Sequence, residues 1–517
     1  RIGERSMTSQ IYMIISMIVY MALVLGIGIW CSKRNKTTDD FYLGGRRLGP
    51  LVTAMSAEAS DMSSWLLMGL PGVAYLTGSA EAFWTAAGLA IGTYVNWLIV
   101  AKRIRLYTYK TRSATIPEFF ANRFRDKSGA IMVVAALVII IFFVPYTASG
   151  FSACGKLFSS LFGFDYFWSM IISAAVIVAY TTIGGFLAAS TTDFVQSIIM
   201  TVALITVLGF GTGVAGGFGA VMENARSMGD YLSLTSTFNV ATRESGAFGP
   251  FAIVSTLAWG LGYFGMPHIL LRFMAIEDAK KLKLSRRIAS IWVVISMGVA
   301  ILIGVIGYGM TSAGAVELLE TSGTAETIIV KIAGLLAENG AFAALVAGVI
   351  LAGILAATMS TADSQLLAAA SSVSQNIIAP FAKKEFSTKT NMLIARITVI
   401  AISAVAIVLA SDPNASVFRV VSFAWAGFGA AFGPVVLFSL FWKRTTLAGA
   451  LSGMITGGAM VFIWKYGIAK LGGVFAIYEL LPAFLAACLV IVLVSLLTKA
   501  PIKEITDEFD EVKTMQA

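Results

Sequence analysis

The chain has 517 residues, of which 58% are hydrophobic and only 13% charged. A soluble globular chain is nearer a quarter charged, so most of this one is written for lipid, with no polar stretch large enough for a separate soluble domain. The net charge of +9 could suggest nucleic acid; its placement, described below, excludes that reading.

Apolar runs near the ~20 residues that a bilayer core demands recur along the chain. The first, Ile11 to Trp30, is too long for a signal-peptide core and lacks a small-residue cleavage site. It reads as a retained helix, with Met7 a candidate start. Helices are expected at about 10–31, 51–77, 81–100, 129–155, 165–184, 191–216, 249–271, 288–311, 341–378, 392–411, 416–441, 446–464 and 474–498. That is an all-α integral membrane protein of about thirteen spans.

Sorting the connections between alternate sides places 28 of the 37 Lys and Arg on one side and nine on the other. Positive charge accumulates on the cytoplasmic side. The N-terminus is therefore expected outside and the C-terminus inside, in a cell membrane. The basic balance is topological. Cys31, Cys154 and Cys488 are odd in number and widely spaced, which fits neither a disulfide framework nor a metal site. No catalytic constellation is visible, and an enzyme is not expected. The acidic stretch Glu504 to Glu511 reads as a solvated end.

Polar or irregular backbone at membrane depth marks function. The first such segment runs Ser56-Ala57-Glu58-Ala59-Ser60-Asp61-Met62-Ser63-Ser64-Trp65 and on to Gly69-Leu70-Pro71-Gly72. Centring one Asp in lipid costs ~2.5–3.5 kcal/mol, and the small residues around it allow unwinding that frees carbonyls for a ligand. A hydrated interhelical seam is the plainer alternative. The second segment is Trp259-Gly260-Leu261-Gly262-Tyr263-Phe264-Gly265-Met266-Pro267-His268. Three glycines and a proline imply a broken helix, and Trp259 and Tyr263, four apart, share a face. Close helix packing explains the glycines equally well.

Two interrupted helices in corresponding halves are the mark of an inverted-repeat transporter. A third cluster, Thr358-Met359-Ser360-Thr361-Ala362-Asp363-Ser364, offers oxygen ligands suited to a hard cation, although mid-helix hydroxyls often only bond back one turn. Asp193 stands beside hydroxyls near an expected helix start, where an N-cap is an equal reading. Tyr146 follows the kinking Pro145. Arg46 precedes the first broken helix and can be read as one more positive-inside charge. His268 reads as structural.

These segments resemble the solute:sodium symporter family, most closely its sodium/proline branch, from about Met7 to Pro501. The carrying motifs are Phe41-Tyr42-Leu43-Gly44-Gly45-Arg46, Ser60-Asp61-Met62-Ser63, Trp65 to Gly72, Trp259 to Gly265, and Ala424-Trp425-Ala426-Gly427-Phe428-Gly429-Ala430-Ala431-Phe432-Gly433-Pro434. The resemblance implies a leucine-transporter-like 5+5 inverted repeat: helix 10–31 extra, repeats at 51–216 and 249–441, two further helices at 446–498 and a cytoplasmic tail at 499–517. It implies a sodium site from Ala59, Met62 and Ala357 carbonyls with the Ser360 and Thr361 hydroxyls, near Asp61. It implies an L-proline pocket from Ser63, Trp65, Tyr146, Trp259, Tyr263 and Pro267, with Arg46, Asp193 and Ser364 tied to coupling or ion release. Sodium is the coupling ion and no cofactor is implied. Glu58 stands where the branch commonly has glycine, and Asp363 where a small polar residue occurs, which leaves open whether one sodium, two, or a proton moves with each solute. A sugar or monocarboxylate symporter is the nearest alternative; an ion channel or membrane sensor is more distant.

Overall fold

The computed structural model describes residues 7–33, 43–378 and 387–515. Phe41 and Tyr42 of the first motif lie outside the described residues. Among those described, nine helices are long and apolar enough to cross a membrane. Their side chains divide by position. Ala341–Ile378 and Val417–Phe441 are mostly covered by protein, whereas Met7–Cys31 and Leu480–Leu497 present most of their surface outward. A helix apolar all round is covered on every side by protein or by lipid. The outward surfaces carry Ile15, Ile172, Ile291, Val408 and Leu489, an apolar belt without charge.

The first interrupted helix is real. Its first half, Pro50–Asp61, starts with Pro at the first turn, where a missing N–H costs nothing. It ends at Met62, whose backbone (φ −75°, ψ 65°) leaves the helical region. The chain restarts as a π-helical turn at Trp65–Gly69 and continues as Leu70–Thr77. The second interruption is longer. Helix Pro250–Leu257 tightens into a 3-10 stretch, Ala258–Gly265, and a new helix, Pro267–Ala275, begins after Met266.

The two broken helices run in opposite directions. Leu48, just before the first, pairs with the backbone after the second: its N–H donates to the Ala275 carbonyl and its own carbonyl accepts from Glu277. Start meets end, so the elements are antiparallel, as an inverted repeat requires. The glycines of the second break also serve close packing. A Cβ at Gly260 would collide with the Gly88 carbonyl oxygen, and one at Gly262 with the Trp425 indole.

Three local expectations are corrected. Helix 166–214 is divided by one glycine, Gly185 (φ 70°), rather than by a loop to 190. Asp193 therefore lies inside a helix and is no N-cap. Arg272, counted above with a basic loop, belongs to helix Pro267–Ala275 and is buried. The acidic tail is no free solvated end: Lys503–Thr514 is an amphipathic helix that buries Ile505, Phe509 and Val512. The connection between 214 and 250 also holds a small hairpin, Ser236–Asn239 paired with Glu244–Ala247.

Candidate functional site at the two helix breaks

Both breaks face each other at one depth. The Tyr263 hydroxyl donates to Asp61 Oδ2 at 2.7 Å, tying the second broken helix to the first. The Asp61 backbone carbonyl, freed by the break, accepts from Trp65 Nε1 and from the Tyr146 hydroxyl, each at 3.1 Å. Asp61 Oδ1 has no partner. One aspartate thus organises three of the expected pocket residues, because the chain stops being helical beside it and exposes an acceptor. Ser63 Oγ accepts the Trp65 N–H at 3.3 Å and closes the turn.

The aromatic side chains gather around Trp259. Its ring lies 6.2 Å from that of Trp65 and 6.2 Å from that of Trp425, 5.4 Å from Phe418, and stacks on Tyr478 at 5.2 Å. Tyr263 meets Trp425 edge-on at 5.0 Å. Trp425, Phe418 and Tyr478 were not foreseen as site residues. The first two lie on helix Val417–Phe441 and the third just before the last long helix, more than 150 residues from Trp259, so only the tertiary fold joins them. Trp425 Nε1 donates to the Trp259 carbonyl at 2.7 Å and Asn96 Nδ2 to the Tyr263 carbonyl at 3.0 Å. Both acceptors are carbonyls released where the α-helix gives way to 3-10 geometry. Pro267 opens the next half-helix and is buried.

The oxygen cluster stands to one side. Ser360 Oγ donates to the Ala59 carbonyl at 2.8 Å and lies 3.1 Å from the Ala357 carbonyl; Thr361 Oγ1 donates to Ala357 at 3.2 Å. Helix Ala341–Ser371 is thereby hydrogen-bonded to the first broken helix through the Ser360 hydroxyl. Two hydroxyls and two carbonyls converge, and a cation seated among them would take the place of the hydroxyl protons. Met62, at the break, is fully buried. The Asp61 carboxylate is directed to Tyr263 instead of to these hydroxyls.

Below this cluster the polar line continues. Ser364 Oγ bonds the Ser360 carbonyl at 2.9 Å and accepts Arg272 Nη2 at 2.6 Å. Arg272 also reaches Asp193 Oδ2 at 3.1 Å, the Ser56 hydroxyl at 3.0 Å and the His268 carbonyl at 3.0 Å. Ser56 in turn donates to Asp193 at 2.7 Å. The structure brings Asp193 and Ser364 together through Arg272, which sequence reasoning missed; its guanidinium is 1% exposed. Arg46 stands apart. It holds the Met274 and Ser113 carbonyls at 2.8 and 2.7 Å, fastening the connection before the first broken helix. Glu58 takes hydrogen bonds from Thr93 and Trp97 at 3.1 and 3.0 Å, both on the next helix.

On the opposite side of the breaks, Lys156 and Glu326 form a second buried pair at 2.8 Å. The Glu326 carboxylate also accepts the Ser416 hydroxyl and the Val417 and Phe418 N–H groups, capping the start of helix Val417–Phe441.

Comparison with known proteins places this geometry in a lineage. The family model described as the sodium:solute symporter family matches residues 41–457. A sodium/proline symporter of Haemophilus influenzae is 42% identical over 97% of each chain. A high-affinity proline transporter of Bacillus subtilis is 44% identical over 94% of this chain and 98% of its own, and a sodium/proline symporter of Escherichia coli is 41% identical over 96% of each. Among solved structures, a Na+-coupled sialic acid symporter in a substrate-bound outward-open state superposes with a TM-score of 0.78 at 18% identity, covering 95% of this chain and 99% of that one. The fold is thus the leucine-transporter-like one. The chain belongs to the sodium:solute symporter family, as a multi-pass membrane transporter and not an enzyme.

Proposed function

We propose that the chain is a sodium-coupled L-proline symporter of the cell membrane, working by alternating access with sodium as its only inorganic partner and no cofactor. The observation that carries this is the pairing of an aromatic enclosure with two helix breaks, in a chain over 40% identical along its length to proline transporters. Thirteen crossings are proposed: the nine long helices, the two broken ones, and the shorter Tyr166–Thr182 and Leu393–Leu409. The repeats are 51–216 and 249–441. The N-terminus is outside and the C-terminus inside, supported by the lopsided distribution of Lys and Arg.

The electrostatics suit a zwitterion. Two half-helices, beginning at Trp65 and Pro267, have their N-termini at the breaks. The dipoles of these helix starts favour a carboxylate. The half-helix ending at Asp61 offers carbonyls and a carboxylate, which favour cations. A pyrrolidine ring fits against Trp65, Trp259 and Tyr263, with Ser63, Tyr146 and Pro267 completing the pocket. Sodium binds first, at the Ala59, Met62 and Ala357 carbonyls and the Ser360 and Thr361 hydroxyls, with Asp61 offsetting its lost hydration. It orders the first break and so raises the population competent for proline. The repeats then rock, and the ion leaves towards Ser364 and Asp193. Each net charge moved is worth ~2.3 kcal/mol per 100 mV, so uptake is electrogenic.

Labelled proline uptake into proteoliposomes tests this, with an inward sodium gradient set against an equal potassium gradient. Accumulation with sodium alone is expected. Sodium-driven uptake of a sugar or monocarboxylate, with none of proline, would replace the substrate; solute-free currents would replace the class.

A further inference from the structure

The ion-release path contains a permanent positive charge, and this follows from where Arg272 sits. Its guanidinium cannot deprotonate in a protein, so it is a cation in every state of the cycle. It spends its donors on the oxygens a departing sodium needs: Ser364 Oγ at 2.6 Å and Asp193 Oδ2 at 3.1 Å, with Ser56 Oγ and the His268 carbonyl holding it in place. The Phe186 ring lies 5.0 Å from it. Ser364 is one helical turn from Ser360, so it is the first oxygen beyond the proposed sodium site along helix Ala341–Ser371. Past Arg272 the space among Phe186, Ala189, Leu271, Leu367 and Ser371 shrinks to about 10 Å³, too small for a hydrated ion.

Asp193 and Asp363 are both buried near this one guanidinium, and Asp193 Oδ1 and Asp363 Oδ2 have no partners. These two open carboxyl oxygens offer a second cation ligands, but only if Arg272 yields Ser364 and part of Asp193.

We propose that Arg272 is a tethered counter-cation: it competes with sodium for Ser364 and Asp193, and its return to them expels the ion to the cytoplasm. Arg272 rides on the inner half of the second broken helix, while its partners sit on the first broken helix, helix 166–214 and helix Ala341–Ser371. Asp193 and Ser56 belong to the other repeat, so rocking of the repeats draws the guanidinium away from Asp193 and loosens its hold on Ser364. It is a positioning residue and does not touch solute. This inference rests on the sodium-coupled reading given above and deepens it.

The test separates release from binding. In proteoliposomes, net proline uptake needs sodium to leave inside, whereas exchange of internal for external proline at equal sodium does not. Arg272→Gln is expected to keep exchange near the wild-type rate, to lower net uptake about tenfold and to bind radiolabelled sodium about tenfold more tightly in detergent without solute, a coupling of ordinary size. Arg272→Lys, which keeps the charge, is expected to restore the wild-type ratio of net uptake to exchange. Equal loss of exchange and net uptake with unchanged sodium binding would make Arg272 merely structural and overturn the proposal, as would an Arg272→Lys protein that behaves like Arg272→Gln. Should Arg272→Gln fail to accumulate, Ser56→Ala, which removes one of the bonds holding the guanidinium, is expected to shift the ratio in the same direction by a smaller factor; no shift would overturn it. Absence of sodium-driven proline uptake in the wild type would sink the function reading instead, and the sodium-binding comparison would still decide the role of Arg272.

Discussion

The two buried ion pairs, one on each side of the helix breaks, are built to opposite rules. On the side proposed to be outer, Lys156–Glu326 is complete: both carboxylate oxygens are engaged, by an ammonium, a hydroxyl and two backbone N–H groups at a helix start. On the side proposed to be inner, Arg272–Asp193 is incomplete, with a free oxygen on Asp193, another on the neighbouring Asp363, and a guanidinium stretched across three other elements. A buried carboxylate with every lone pair occupied gains most from staying put, and one with an empty lone pair is short of a ligand. The outer pair therefore holds the fold, while the inner pair is set for exchange.

Breaking the outer pair is the largest expected effect. Glu326→Ala leaves Lys156 buried and unpaired and uncaps helix Val417–Phe441; truncating one partner of such a pair costs ~3–5 kcal/mol. Thermal unfolding of the purified protein in detergent should show a clear fall in midpoint. Asp193→Asn should cost less, about 1–3 kcal/mol by the loss of charged hydrogen bonds, since Arg272 keeps its bonds to Ser56, Ser364 and the His268 carbonyl. Its transport defect should nevertheless be severe, read as a slowed sodium-dependent net uptake. If Asp193→Asn proves the more destabilising of the two, the contrast between the pairs is wrong.

Thr361→Ala probes the same inner region at its ion end. The hydroxyl only bonds back to Ala357, so stability should change by about 1 kcal/mol or less. The sodium concentration giving half-maximal uptake should rise about tenfold, the worth of one lost ligand at ~1.4 kcal/mol, with the proline constant at saturating sodium little moved. An unaltered sodium dependence would remove Thr361 from the site.

What the sequence revealed follows the same division. Breaks announce themselves locally: serines, an aspartate, glycines and Pro267 at membrane depth are anomalies a single segment carries, and the spacing of Ser360, Thr361 and Ser364 is read from one helix. Partners do not announce themselves. Arg272 follows an apolar run directly, so periodicity assigned it to a basic loop, and only the fold brings Asp193, 79 residues away, to its side. Tyr478 was invisible for the same reason, being 5.2 Å from Trp259 across more than two hundred residues of chain. Gly185 was missed as a hinge because one left-handed residue suffices to turn the chain.

The C-terminal helix supplies the smallest and sharpest contrast. Its ion pairs, Arg125–Glu508 at 2.6 Å and Lys443–Asp510 at 3.0 Å, resemble the buried ones in geometry but lie at the surface; Glu508 is mostly covered beside a partly exposed Arg125, whereas Lys443 and Asp510 are both more than half exposed. Solvent and salt screen such pairs, and their worth is ~0.2–1 kcal/mol each. Phe509, held beneath Arg103 at 4.8 Å and Arg123 at 5.3 Å, is the apolar anchor. Lys443→Ala should therefore barely shift the unfolding midpoint, and raising ionic strength should erase even that difference, whereas the Glu326→Ala loss should persist in high salt. Equal salt sensitivity of the two variants would mean that burial does not separate them, and the distinction drawn between the inner, outer and surface pairs would collapse to distance alone.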